Sequence, residues 1–283
     1  AFGLMLVCST SARLPAPLVL QRPSVVTGDE RGRLYVGDHG RGAVFVFDAA
    51  AGELLVWTRA TAQAAFVSPA GLAPAADGGL FVADAELKLV VRLDASGQPV
   101  GEIGRGLLQR PTGLARDPRL GLLYVADTYA HDIKVFSDAG ALLHVIGRRG
   151  RGDGEFNYPT HLAWAQGELY VTDTLNHRVQ VFGADGQVLA RKFGEHGLFL
   201  GNLVRPKGVA VDGDGNVYVI ESYYDNLLVF SPRGELLLPI GGTGTATGRF
   251  YLPAGVWVDG RNRVHVADMF NGRVVLFQFL GNG

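Results

Sequence analysis

Six acidic side chains fall at matching places along this chain. Asp38, Asp84, Asp127, Asp173, Glu221 and Asp268 each close a short apolar string: LYVGD, LFVAD, LYVAD, LYVTD, VYVIE and VHVAD. Six carboxylates facing one axis could hold a cation. An acid recurs in every copy whatever else changes, so we read each as a turn cap whose oxygens accept from nearby backbone N–H groups. Arg178 and Arg273, with Asn176 and Asn271, fit turn and inter-repeat contacts in the same way.

Histidine is the other candidate ligand type. His161 follows Thr160 where other copies carry Gly71, Gly113, Gly208 and Gly255, so the repeat itself does not demand it. His131 and His177 occupy equivalent turn positions in neighbouring copies, while His39 and His196 lie in other connections. His161, His131 and His177 make the best zinc set in the chain. Zinc needs four convergent ligands, or three and a water, and these three do not stand at matching inward positions in alternate copies. Surface roles are expected for them, with no metal and no cofactor. The single cysteine, Cys8, leaves no internal disulfide and no cysteine-based zinc site. The segment DGDGN (Asp212–Asn216) lacks the downstream glutamate of a calcium loop and reads as a turn. No Ser-His-Asp order, phosphate loop or paired catalytic carboxylates stand out, so no enzyme is expected.

Basic and aromatic residues suggest recognition instead. Arg148, Arg149 and Arg151 lie among glycines in Gly147–Phe156, a composition able to grip phosphates or an acidic partner. Arg22, Arg110, Arg205 and Lys207 flank prolines that recur along the chain and are expected on the same face. Tyr223 and Tyr224 replace the small residues usual after the acid and suit an exposed patch. Phe156, Tyr158, Phe250 and Tyr251 read as anchors of the connecting segments. The formal net charge is −1, so no global basic field draws nucleic acid or an anionic membrane.

These residues are set by a repeat. A proline followed by a small residue and an apolar pair recurs at Pro23, Pro69, Pro111, Pro159, Pro206 and Pro253, at intervals of 46, 42, 48, 47 and 47 residues. Nine residues beyond each acid comes Phe47, Leu93, Phe136, Phe182, Phe230 or Phe277, a spacing that never varies. Each copy therefore holds four short strands. The first follows the proline, the second ends at the acid, the third ends at the Phe or Leu, and a turn leads to a fourth, such as Leu142–Ile146 or Val188–Phe193. Ser96-Gly97, Asp185-Gly186 and Arg233-Gly234 supply hairpin chemistry. Forty glycines and thirteen prolines suit many tight turns. Four-stranded units repeated radially are propeller blades.

The last copy has three strands. In copies three to five the fourth strand ends 13 residues before the next proline, and counting 13 back from Pro23 lands on Thr10. Residues 4–10 are therefore expected to complete the last blade and close the ring, removing an open edge. The expected architecture is all-β: a six-bladed β-propeller of four-stranded antiparallel blades, with residues 1–283 forming one domain. No apolar run approaches the 18 residues of a membrane span. Phe2–Cys8 lacks the basic leader of a signal peptide, and Val7 is larger than the residue usual before a lipidated cysteine. A signal or lipid anchor lost from upstream of Ala1 is compatible with this start.

The strings resemble the NHL-repeat family, whose units run roughly P-x-G-V-A-V-D, V-Y-V-A-D-T-x-N-x-R-V-Q-V-F and G-x-x-G. Val171–Phe182 reads VTDTLNHRVQVF, and Val266–Phe277 reads VADMFNGRVVLF. The connectors GRRGRGDGEFNYP, GEHGLFLGNLVRP and GGTGTATGRFYLP are similar to the family's own. Copies one and two depart from the pattern, with shorter connectors and no family arginine. The resemblance implies a propeller with a binding face and no single activity; RNA-binding domains, kinase sensor domains, an amidating lyase and structural exported proteins share it. The expectation is a non-enzymatic, exported (periplasmic or extracellular) bacterial propeller that binds another protein through its connector face. The rival readings are a metal-dependent lyase or hydrolase centred on His161 and single-stranded RNA binding.

Overall fold

The landmark prolines open the innermost strands. In the computed structural model, which describes residues 3–5, 19–183 and 188–280, six inner strands run Pro23–Gly28, Pro69–Pro74, Pro111–Asp117, Pro159–Ala165, Pro206–Val211 and Pro253–Val258. Proline lacks a ladder donor and is tolerated as the first residue of a strand. In every blade the pairing register shifts just after it, between Pro23 and Val25 in the first and between Pro159 and Leu162 in the fourth.

Each inner strand begins an antiparallel four-stranded sheet, and six such sheets make the ring. The second strands end on the recurring acids, as in Arg33–Asp38 and Val217–Glu221. The fourth strands lie outermost, as in Leu142–Ile146 and Leu189–Phe193. In the last blade Gly3–Met5 takes the outer place, pairing with Arg273–Leu280 so that Leu4 faces Phe279 across the ladder. The remainder of the closing strand expected over 4–10 lies outside the described residues, as does the turn Asp185-Gly186.

Cores form between blades. Tyr124 and Ile133 of the third blade pack with Leu169, Val171 and Phe182 of the fourth, while Leu123 and Val125 turn the other way, onto Phe81 and Val90 of the second. Both faces of a second strand are thus covered, which explains its apolar character throughout. Of the residues nine beyond the acids, Leu93, Phe136, Phe182, Phe230 and Phe277 are buried and Phe47 is half-buried.

Glycine lets neighbouring blades touch. A Cβ on Gly71 would lie 1.9 Å from the Thr112 carbonyl oxygen of the next blade, and one on Gly255 would lie 2.9 Å from Ser24 O. The sixth blade therefore meets the first through a close glycine contact of the same kind. Farther out, Gly97 and Gly234 combine a left-handed backbone with contact to Trp57 and Phe193 of the preceding blade.

Candidate functional site

The six acids are latches. Asp38 accepts from the backbone N–H groups of Gln21, Arg22 and Arg41, so one carboxylate ties the incoming connector to the turn after the second strand. Asp84 does the same for Val67, Ser68, Glu86 and Leu87, and Glu221 for Val204, Arg205 and Tyr223. Three latches also carry a cation: Lys134 on Asp127, Arg178 on Asp173 and Arg273 on Asp268, each at 2.8 Å. Arg178 and Arg273 extend to connector carbonyls, those of Gly152 and Arg249 among them. Glu221 forms no such ion pair among the described residues, and burial pushes its carboxyl up against the opposing field of Arg205 and the N–H groups it accepts from.

His131 and His177 are committed in the same manner. Both adopt left-handed backbone geometry in the turn after the acid. His131 Nδ1 accepts from Tyr158 N–H at 3.2 Å, and His177 Nδ1 lies 2.9 Å from Val204 O. Asp225, at the matching place one blade on, accepts from Leu252 N–H at 2.7 Å. This position fastens the next connector just before its proline. His161 stands apart on the inner strand, and among the described residues no three of His, Cys, Asp and Glu group as a metal ion would require. The zinc set of His161, His131 and His177 is not brought together. Asp212 in DGDGN accepts from Asp214 N–H, Asn216 N–H and Tyr218 OH, which makes that segment a turn.

The connector face carries a set of aromatics that only partly stands out in the sequence. The residue two beyond the acid is Tyr129, Leu175, Tyr223 and Phe270 in blades three to six, exposed by 53, 44, 56 and 45%. Three of them sit in clusters. Tyr129 meets Tyr158 edge-on at 6.1 Å, with the Arg110 guanidinium 5.1 Å from its ring centre. Tyr223 meets Tyr224 at 4.9 Å. Phe270 lies 5.5 Å from Tyr251, with Arg22 also 5.5 Å away. Tyr223 and Tyr224 are visible as replacements of small residues; Tyr129 and Phe270 become visible only when the copies are compared at that one position. Phe156 and Phe250 are fully buried anchors, whereas Tyr158 and Tyr251 belong to the exposed clusters.

The arginine connector lies farther out. Arg148 donates to Glu155 at 3.0 Å while its side chain stays 82% exposed. Arg149 pairs through its backbone with Phe156, and its side chain, like that of Arg151, faces solvent. Lys207 and His161 sit inside the ring, on the inner strands of adjacent blades. At the opposite end of the molecule the inner strands enclose a cavity of 620 Å³ lined by Leu72, Leu114, Trp164, Val209, Val256 and Trp257 among others, reaching the turns at Asp29–Arg31. Trp164 stacks on Tyr124 there, with centroids 5.3 Å apart.

The ring of six four-stranded blades defines a six-bladed β-propeller. A family described as "6-bladed beta-propeller" (DUF5128) matches residues 119–193. The chain is 28% identical over 145 residues to Protein brain tumor of Drosophila melanogaster, which covers 50% of this chain and 13% of that protein. The chain thus spans only a small part of that relative's length. Its fold is similar to that of virginiamycin B lyase from Staphylococcus aureus, with a TM-score of 0.65, 15% identity, and 99 and 100% of the two chains covered. It is also similar to an auxiliary nutrient binding protein from Bacteroides thetaiotaomicron, with a TM-score of 0.70, 12% identity, and 92 and 70% covered. At such identities the likeness is one of fold.

Proposed function

We propose that this chain is an NHL-type propeller acting as a binding module, and that it takes a protein partner on its connector face. The observation that carries the reading is the arc of exposed aromatics at one repeat position, Tyr129, Tyr223 and Phe270, each set against a second aromatic and two of them under an arginine. Tyr and Arg are enriched among the residues that dominate the energetics of protein interfaces, and a tyrosine ring brings large rigid area with little entropy to lose. The surrounding latches hold the backbone beneath them rigid, which lowers the ordering cost of binding. Of the three histidines a metal-dependent lyase would use, His131 and His177 are taken up by the connectors instead.

The test is affinity capture with the full chain, followed by the variant Tyr129→Ala/Tyr223→Ala/Phe270→Ala, with folding checked by circular dichroism. A partner retained by the parent and released by the variant supports the reading. Equal retention by both overturns it. The same clusters favour one second reading, since aromatics interleaved with arginine also stack unpaired bases. Titration with single-stranded RNA at low ionic strength separates the two: tight binding that weakens steeply with salt moves the assignment to RNA.

A further inference from the structure

Two side chains inside the ring belong to no repeat pattern. His161 occupies the place of Gly71, Gly113, Gly208 and Gly255, and Lys207 the place of Ser24, Ala70, Thr112, Thr160 and Ala254. They stand at the connector end of the inner strands of blades four and five, near enough that the charge on Lys207 disfavours protonation of His161. A third departure supports the first. Thr172, where the neighbouring blades have Ala126 and Ile220, is fully buried, accepts from His161 N–H at 3.0 Å and donates to His161 O at 3.1 Å. The backbone beneath the imidazole is therefore clamped.

Both polar groups lack partners. His161 Nδ1 is buried with no hydrogen bond, and Lys207 makes no hydrogen bond or ion pair among the described residues. This sets Lys207 apart from Lys134, Arg178 and Arg273, which all sit on recurring acids. The acid of its own blade is engaged elsewhere, because Glu221 is held by the N–H groups of Val204, Arg205 and Tyr223. Burial first, and then the charge of another cation, Arg205, holds the Lys207 ammonium below its ordinary range. A half-buried ammonium without a counter-charge, beside an imidazole nitrogen without a partner, is unfavourable in the empty protein.

One occupant satisfies both groups. We propose that the throat of the ring between blades four and five binds a small oxyanion, carboxylate or phosphate, which accepts from Lys207 Nζ and from the Nδ1–H tautomer of His161, with Arg205 adding positive field. Charge-assisted hydrogen bonds of this kind are the strong ones. The site lies on the inner strands and is independent of the aromatic arc, so either assignment stands or falls without the other.

The experiment titrates the full chain with inorganic phosphate, sulfate and succinate at ionic strength held constant with chloride, read by calorimetry and by melting temperature. A saturable response to at least one oxyanion is expected, and comparing phosphate with succinate identifies the preferred group. Lys207→Met should weaken that response by roughly tenfold or more, and His161→Gly, the residue four other blades carry, should weaken it in the same direction. In chloride alone Lys207→Met should melt at or above the parent temperature, because it relieves an unpaired charge. Tyr223→Ala should leave the response unchanged. No saturable response in the parent overturns the proposal. So does an unchanged response in Lys207→Met, or a Lys207→Met protein that melts well below the parent in chloride.

Discussion

His131 and Tyr158 are joined twice: the Tyr158 N–H donates to His131 Nδ1 at 3.2 Å, and the two rings meet edge-on with centroids 4.5 Å apart. A histidine offered by type as a metal ligand is thereby a fastener for the connector that leads into the fourth blade. Its removal would leave the Tyr158 N–H without its acceptor. We expect His131→Ala to lower stability by about 1–3 kcal/mol, the cost of orphaning a covered donor, measured by chemical denaturation. Zinc added to the parent, or a chelator, should leave its midpoint unmoved; a zinc-dependent shift would restore the metal reading.

Blade contact sets a steric limit at Gly71. An added methyl there would press on the Thr112 carbonyl at 1.9 Å, against backbone that belongs to the next blade and cannot swing aside. Gly71→Ala should destabilise by about 1–3 kcal/mol or more. Gly260→Ala is the control, since nothing lies within 4 Å of its added Cβ. Equal denaturation midpoints for the two variants would show that the ring is looser than these distances imply.

Burial first, and then the charge on Lys207, pushes the His161 imidazole down to about 3. An unfolded histidine titrates near about 6.5. Between those values the unfolded chain binds a proton that the folded chain refuses, so stability falls as pH falls through this window. His265, also held low by burial, and Glu221, held high, act in parent and variant alike. The difference between parent and His161→Asn therefore isolates His161. Denaturation midpoints from about pH 7 to pH 4.5 should decline less steeply in the variant, and parallel declines would mean that the ring titrates as if exposed.

The fourth connector, which joins blades four and five, separates anchor from tip within a few residues. Leu203 is fully buried, at the place taken by Phe156 and Phe250 in connectors three and five, whereas Phe199 is 83% exposed between the exposed Leu198 and Leu200. Leu203→Ala should cost about 2–5 kcal/mol through the cavity it leaves. Phe199→Ser should leave the unfolding midpoint unchanged, as measured on the two purified variants. A large loss in Phe199→Ser would place that ring against protein.

Much of the molecule is legible in the chain because a blade is a local object. Its four strands are consecutive in sequence, so proline, acid and Phe spacings map directly onto strand starts, strand ends and core positions. The capping role of Asp38 and its counterparts follows from recurrence alone, and the structure shows the backbone donors each one serves. The pairing of Tyr158 with Tyr129 is not legible, since Tyr129 follows the acid of the third blade and Tyr158 stands 29 positions on, in the connector to the fourth, and the two meet only when the ring is assembled. The apolar cavity around Trp164 and Trp257 is illegible for a similar reason: the ends of the inner strands of all six blades enclose it together.

The sequence by itself therefore determined the number of blades, the strand order within each, and which residues depart from the shared pattern: His161, Lys207, the arginines of connector three and the Tyr223-Tyr224 pair. Periodicity carries that information, because equivalent positions must satisfy equivalent local physics. Only the tertiary structure decided what the departures face. Whether His131 meets a metal or a backbone amide, and whether Lys207 meets an acid or Arg205, depends on which side chain the neighbouring blade presents. Inter-blade distances of a few ångströms set those contacts, and they are not written in the order of residues along one strand.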